Sequence, residues 1–503
     1  MNGGQNMNQE IFVGIDLGTT GMKIIFMDTD GTILAKNYID YPILNPEQGY
    51  AEQRPSDWWQ GLCKISTEVL NEHPGLKDKI ACIGISGQMH TQVYLDKNNC
   101  ILRNAITWMD QRATKLVERY KAKEENRVAI SDHTLNSLST TYTAPHIVWV
   151  KEEEPDIYRK TEKVLLAKDY IKYMLTGEMV TDYSDAVGTL LFNTVKKKWS
   201  DEMFRLFDLA PNLMPEVDKS AQVIGRITPE AASITGLPEG TPVINGSADQ
   251  AATSLGAGVI HPGEVTAIVG TAGVISVISD EPIADPEHRV LCWNYCLEDK
   301  WVNLGIMQTA GESLNWFKRT FDSESDAVFD IYNQEIANIP DGSEGLIFLP
   351  YLMGERSPHW DSEARGVFFG MSMNHNKYHF VKSIMEGVSF AFKNNLEVME
   401  SLGINIDKLR LLGGGSKSEE WLNIMAKVLN KKISPVKVTE TGALGSSILC
   451  GLALGVYDSL DDVVSRLTMT GKEYYYEEIP EIYYKNYNKY KKIYQRTTDI
   501  FKL

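Results

Sequence analysis

The sequence predicts an α/β protein of two related halves, each a β-sheet with helices on its faces. Three observations carry that prediction. Apolar, β-branched runs alternate with amphipathic segments along the whole chain. A strand, a Gly-Thr turn and a second strand occur twice, in "IFVGIDLGTTGMKIIFMD" and again in "EVTAIVGTAGVISVIS". The chain has 503 residues, 43% hydrophobic and 23% charged, enough for two to four domains with full cores at about 150 residues each.

The opening runs Ile11–Ile15 and Met22–Met27 read as strands, and Gly18 and Gly21 permit a tight turn between them. Taken alone, the stretch is an ordinary hairpin. Its return 252 residues later, with Gly270 in the place of Gly18, argues for a duplicated unit. Between the two copies "KIACIGISG" and "TPVINGSA" read as buried strands, and "PSDWWQGLCKISTEVLNEH" has helix start signals and a 3.6-residue period. The Gly-rich "LGAGVIHPGE" marks a boundary around residues 256 to 262, dividing the chain into domains 10–256 and 257–503. In the tail, Tyr483, Tyr487, Tyr490 and Tyr494 fall on one face of a helix. A helix docking its tyrosines on the body explains that stripe better than stacking on bases does.

Composition excludes several classes. A formal charge of −17, from 50 Lys plus Arg against 67 Asp plus Glu, is unsuited to sustained nucleic-acid contact. A local amide-rich pocket for phosphate is still compatible with an acidic surface. The first ten residues show no secretory leader pattern, and no apolar run has the length of a membrane span. Six scattered cysteines, without metal-ligand spacing, read as reduced thiols of a cytoplasmic protein.

Three glycine turns follow strands: Gly18–Gly21, Gly270–Gly273 and Gly413, Gly414 and Gly415. Glycine lets a backbone approach a ligand, and successive turn amides suit phosphate oxygens. The third turn runs into a helix, and Ser416 with Glu419 fits a capping box there. The chain has neither GxGxxG nor GxxxxGK[ST], which disfavours a Rossmann or P-loop site. Asp16 ends the first strand just before its turn, where it could hold Mg²⁺ through water. Asp249, in "VINGSADQAATSLGAG", starts a small-residue helix and is placed to accept a proton from a hydroxyl. Each could equally be an ordinary turn or N-cap aspartate. "GISGQMHTQVYLD" places Gln88, Met89 and His90 past a buried strand, and "ITWMDQRA" offers Trp108, Asp110 and Arg112. Polar clusters at strand ends bind small polar molecules in α/β folds, although a lone histidine is more often structural.

With these motifs in view the chain resembles the FGGY carbohydrate kinases, of the sugar-kinase, actin and heat-shock ATPase superfamily, over roughly residues 10 to 460. The resemblance rests on "GIDLGTTGMK", "GYAEQRPSDWW", "SGQMH", "LLAKDYIKYMLTGEMVTDYSDAVGTLLFN", "GSADQAATSLGAG", "IVGTAGV", "FLPYLMGERSPHWDSEARGVFFG" and "LRLLGGGSKSEEW". It implies two ribonuclease-H-like domains with an ATP and sugar cleft between them. The first would carry the sugar site, the catalytic Asp and the first phosphate hairpin, and the second the nucleotide site. It also implies ATP-dependent phosphorylation of a sugar hydroxyl, with ATP and Mg²⁺ as cofactors and a small sugar as partner. A homodimer is compatible with the family. By the resemblance Asp249 is the base and Asp16 the Mg²⁺-linked carboxylate. Gly18, Thr19, Thr20, Lys23, Gly270 and Thr271 lie at the phosphates, Gly413 to Gly415 near the adenosine, and Gln88, Met89, His90, Trp108, Asp110, Asp249 and Gln250 at the sugar. Met89–His90 stands where glycerol kinases have Arg-Glu, so the expected acceptor is a ketopentose, D-xylulose at O5, with D-gluconate, L-xylulose and ribulose as alternatives. Ala272 in place of a family Ser, and His146 in place of a Lys, depart from the pattern. The competing readings are an actin- or chaperone-like ATPase and a catalytically silent sugar sensor, neither of which explains "SGQMH" together with "MGERSPHWD".

Overall fold

A computed structural model of the chain describes residues 10–322, 327–457 and 459–502. Residues 1–9, read above as lacking a leader, lie outside it. The chain forms two compact units, one of residues through Ile260 with Trp293–Trp301 and Thr439–Thr468, the other of His261–Cys292, Val302–Val438 and Met469–Leu503. Two later segments, Trp293–Trp301 and Thr439–Thr468, thus return to the unit formed by the residues through Ile260.

The first unit is built on a seven-stranded sheet. Its central order is Ile33–Asp40, Gly21–Asp28, Ile11–Leu17, Ile80–Gly87 and Pro242–Ile244, with Val223–Arg226 beyond. The first three strands are antiparallel neighbours, whereas Ile80–Gly87 runs parallel to Ile11–Leu17, and Pro242–Ile244 parallel to Ile80–Gly87. Ile11–Leu17 is apolar along nearly its whole length because both its faces are covered. Ile11, Val13 and Ile15 share a core with Trp58, Leu62 and Ile65 of the helix Pro55–Glu72. The alternate positions face the helix Thr441–Ala453, where Gly14 lies against Ala443. "TPVINGSA" is two short strands rather than one, Pro242–Ile244 and Ser247–Ala248. Gly246, at φ +73°, breaks the run between them.

A smaller sheet in the same unit has the order Glu52–Gln53, Ala105–Ile106, Gln92–Asp96 and Thr161–Leu166. One of its strands begins just after His90, at Gln92, and another ends just before Trp108, at Ile106.

The second unit repeats the strand order of the first. Trp301–Met307, Gly273–Ser279, Val265–Val269, Lys408–Leu412 and Lys432–Pro435 follow one another in a six-stranded sheet, with Leu291–Asn294 outermost. Val265–Val269 pairs antiparallel with Gly273–Ser279 and parallel with Lys408–Leu412. In both units a central strand thus has an antiparallel hairpin partner on one side and a parallel strand on the other, the ribonuclease-H-like arrangement. The tyrosine stripe sits on the helix Glu481–Phe501, with Tyr483, Tyr487 and Tyr490 buried in the second core. Among the described residues no helix is long and apolar enough to cross a membrane.

Candidate active site

Asp16 is the last residue but one of its strand, and cross-strand pairing sets Lys23 on one side of it and Ser86 on the other. Its Oδ1 accepts a hydrogen bond from Ser86 Oγ at 2.9 Å. Burial raises its pKa, against the opposing effects of Ser86 and Lys23. The helix Thr441–Ala453 begins directly beside this carboxylate. A Cβ on Gly442 would lie 2.6 Å from Asp16 Oδ2, so only glycine lets the helix come this close.

Asp249 is the first residue of the helix Asp249–Gly256, and its Oδ1 accepts from the Gln250 amide at 2.7 Å. Burial, and secondarily the charge of Asp16, push its carboxyl up to about 7. Two aspartates 233 positions apart in sequence thus sense one another within a single unit. A carboxyl that titrates near neutrality and is half-buried is suited to accepting a proton. Among the described residues no group of three or more His, Cys, Asp or Glu side chains forms a metal cage. The Asp16 carboxylate, with one oxygen not taken by Ser86, fits Mg²⁺, which keeps waters and takes phosphate oxygens.

The turn beyond Asp16 is closed by Gly18 N–H donating to Gly21 O at 3.0 Å, and the Tyr41 hydroxyl donates to Gly18 O. Thr19 O accepts from Gln53 Nε2 at 2.7 Å, and Thr19 Oγ1 from Trp108 Nε1 at 3.0 Å. Thr20 is exposed at the tip, and Lys23 is half-buried on the following strand. Trp108 thereby ties the "ITWMDQRA" loop to the glycine turn.

Gln88 and Asp110 are less available than the sequence suggests. Gln88 is 0% exposed; its Nε2 donates to Gln53 Oε1 at 2.7 Å and its Oε1 accepts from Thr91 Oγ1 at 3.2 Å. Asp110, also 0% exposed, is gripped through both oxygens by Arg112 at 2.8 Å and accepts from Ala51 N–H at 2.6 Å. The Arg112 guanidinium is itself clamped 4.0 Å from the Tyr50 ring centroid and 4.9 Å from that of Trp149. Polar atoms of both side chains are thus engaged by the scaffold that holds Trp108 and the turn. His146, the departure from the family lysine, belongs to the same scaffold. Its Nε2 lies 3.3 Å from Asp110 O, and burial lowers its pKa to about 4.

Met89 and His90 lie side by side and almost fully buried. His90 has φ +66°, and its Nδ1 donates to Gly188 O at 2.7 Å. Its ring packs edge-on against Tyr142 and Trp293, with centroids 5.2 and 5.6 Å away. These two aromatic residues are absent from the sequence reading. Trp293 lies about 200 residues from His90 in the chain, in a segment whose return to the first unit leaves no local signal. Among the described residues its Nε1 and the Oε1 of Gln250 are buried polar atoms without a hydrogen-bond partner, which leaves them available to a ligand.

In the second unit Gly270 N–H donates to Ala272 O at 3.1 Å, and Thr271 is exposed at the tip. The carbonyls of Gly270 and Thr271 accept from the amides of Gly311 and Ala310 at 2.7 and 2.9 Å, anchoring the hairpin to the helix Gly311–Phe321. Gly413, at φ +86°, packs against the end of the same hairpin, and a Cβ there would lie 2.5 Å from Val269 O. Gly413 and Gly414 are exposed, and Gly415 is buried. The capping box expected at Ser416 is not formed. Gly414–Lys417 makes one tighter 3₁₀ turn in which Ser416 Oγ donates back to Gly413 O, and the cap is Ser418, accepting from Trp421 N–H at 3.1 Å.

Both halves of the chain are similar to known proteins. Residues 11–256 match the N-terminal domain of the FGGY family of carbohydrate kinases, and residues 265–454 match its C-terminal domain. The xylulose kinase of Bacillus subtilis (strain 168) is 35% identical over 489 residues, 97% of either chain. A crystal structure of gluconate kinase from Lactobacillus acidophilus superposes with a TM-score of 0.91 at 27% identity, covering 97% of this chain and 98% of that one. Ligand-bound xylulose kinase from the same organism gives 0.90 at the same identity and coverage.

Proposed function

From the premise that the chain belongs to the FGGY family of carbohydrate kinases, we propose that it transfers the γ-phosphoryl group of ATP to the O5 hydroxyl of D-xylulose. The observation that carries the reading is the Asp249 carboxyl, poised near pH 7 at a helix start and electrostatically linked to Asp16. Asp249 takes the proton of the attacking hydroxyl as the bond to phosphorus forms. Gln250 and Trp293 offer unpaired polar atoms to the sugar, beside Met89 and the His90 ring.

The exposed tips Thr20 and Thr271, on the turns that the Gly18 and Gly270 amides close, serve the phosphates, with Lys23 as a nearby charge, and Gly413 to Gly415 serve the adenosine. Asp16 would hold Mg²⁺ through water, and the ion would neutralise phosphate charge there. Phosphoryl transfer asks for positioning and electrostatic stabilisation, which rigid turns and paired carboxylates supply. The six cysteines form no disulfide among the described residues and four are buried, which supports a cytoplasmic setting.

Gluconate is the second reading, because a gluconate kinase and a xylulose kinase superpose on this chain equally well. A coupled ADP-release assay over D-xylulose, L-xylulose, D-ribulose, L-ribulose, D-gluconate and glycerol separates them. D-xylulose is expected to give the highest kcat/KM, and a preference for gluconate overturns the ketopentose assignment. Asp249→Ala is expected to lower kcat by at least about 10²-fold in a folded protein. Near-normal turnover in that variant removes Asp249 from the role of base.

A further inference from the structure

We propose that Ser184, backed by the buried pair Asp182 and Lys168, is a positioning residue that fixes the backbone on which Asp249 is mounted. The inference rests on the reading of Asp249 as the base. Asp249 follows the two-residue strand Ser247–Ala248, which pairs along one edge with Ser86 and Gly87. The Ala248 amide is instead taken up by Ser184 Oγ, which accepts from it at 3.0 Å.

A serine hydroxyl has one proton, and here it is committed: Ser184 Oγ donates to Asp182 Oδ2. The same oxygen of Asp182 also accepts from Ser184 N–H at 2.9 Å and from Ser220 Oγ at 2.8 Å. Its Oδ1 lies 2.9 Å from Lys168 Nζ, which also meets Asp169 Oδ1 at 2.7 Å and Asp185 Oδ2 at 3.1 Å. All four of these charged side chains are 0% exposed. Burial opposes the Lys168 charge, and the three carboxyl groups around it more than restore it.

Such a network has no free rotor. Lys168 orients Asp182, Asp182 orients the Ser184 hydroxyl, and the remaining lone-pair side of that hydroxyl holds the amide one residue before Asp249. Ser220 is bound to the same carboxylate oxygen and does not touch Ala248 in this way, so it is a matched control.

The test compares Ser184→Ala with Ser220→Ala in the full-length enzyme. Each removes one hydroxyl from Asp182 Oδ2, so both are expected to lower the melting temperature by similar amounts. Only Ser184→Ala is expected to lower kcat, by about 10-fold or more, the scale of small displacements at a reacting group. KM for ATP should stay within about twofold, and Ser220→Ala should keep kcat within about twofold. Ser184→Thr, which retains the hydroxyl, should recover most of the lost turnover. If Ser184→Ala does not fold, the isosteric pair Ser184→Thr and Ser184→Val replaces it, with only the valine expected to lose turnover. Equal losses of kcat in the Ser184 and Ser220 variants, or no loss at Ser184, overturn the proposal. Asp249→Ala in the same series keeps the two claims apart. If it is inactive while Ser184→Ala and Ser220→Ala behave alike, positioning alone fails; if it turns over normally, the base itself is misassigned.

Discussion

The two hairpins Ile11–Asp28 and Val265–Ser279 have the same backbone plan and different chemistry. In each, a Gly-Thr turn joins antiparallel strands and the first strand has a parallel neighbour on its other side. Two positions before the turn glycine, the first hairpin has Asp16 opposite Ser86, and the second has Ile268 opposite Leu412. At the third turn position Thr20 corresponds to Ala272. The duplication thus preserves the Gly-Thr turn, while the acid is confined to one copy. Binding geometry can be doubled without cost to charge balance. A second buried carboxylate would have to be neutralised or solvated.

The sharpest way to break this asymmetry is Asp16→Asn, which makes the two hairpins alike in charge. Turnover is expected to fall by about 10²-fold or more, the scale of losing a main electrostatic group at a phosphoryl-transfer site. The variant also has a signature in stability. Burial raises the native pKa of Asp16, and burial with Asp16 raises that of Asp249 to about 7. Between the unfolded carboxyl value of about 4 and about 7 the native state therefore holds protons that the unfolded chain has lost. Stability from these groups is complete below that window and is lost as pH rises through it. Buried Asp185, Glu355 and Glu386, raised to about 8, 8 and 7, act in the same direction, so the informative quantity is the difference between proteins. The drop in melting temperature from pH 5 to pH 8 should be smaller in Asp16→Asn than in the parent. An identical drop would mean that the two aspartates are not electrostatically linked.

A smaller effect sharpens the contrast within the second unit. Gly413 has φ +86° and a carbonyl 2.5 Å from where its Cβ would be, whereas Gly414 has open space around it. Gly413→Ala should cost about 1–3 kcal/mol of stability in thermal or urea unfolding. Gly414→Ala should leave stability unchanged and raise KM for ATP severalfold, because its new methyl would occupy the face assigned to adenosine. Equal stability in both variants would show that the first glycine is not constrained by its hairpin neighbour.

What was legible in the sequence was local or periodic. The repeated hairpin, the helix Pro55–Glu72, the tyrosine stripe and the placing of Asp16 and Asp249 at strand end and helix start all follow from short-range pattern. Where partners come from afar, the pattern is silent. A polar residue at a strand end looks the same whether open or saturated, and only the fold shows that Arg112 and Ala51 consume Asp110. Nothing local marks Lys168 as buried; that depends on Asp182 and Asp185, 14 and 17 positions later, which close over it. The cap at Ser418 rather than Ser416 turned on one 3₁₀ turn, a choice made by the Gly413 backbone and not by the serine.

The smallest change puts back what separates the hairpin tips. Ala272 is half-buried, and its carbonyl already accepts the Gly270 amide at 3.1 Å. Ala272→Ser adds one hydroxyl without altering that bond or the space around it, so the melting temperature should not move measurably. If the amides do most of the phosphate binding, a hydroxyl beside them adds only a solvent-competed hydrogen bond, and KM for ATP should fall by less than about threefold. Turnover should be unchanged, since nothing in the acid half is touched. A tenfold gain in ATP affinity would instead mean that side-chain donors dominate the cradle. Thr20 would then contribute through its hydroxyl what Ala272 cannot, and the two hairpins would differ in binding as well as in acid chemistry.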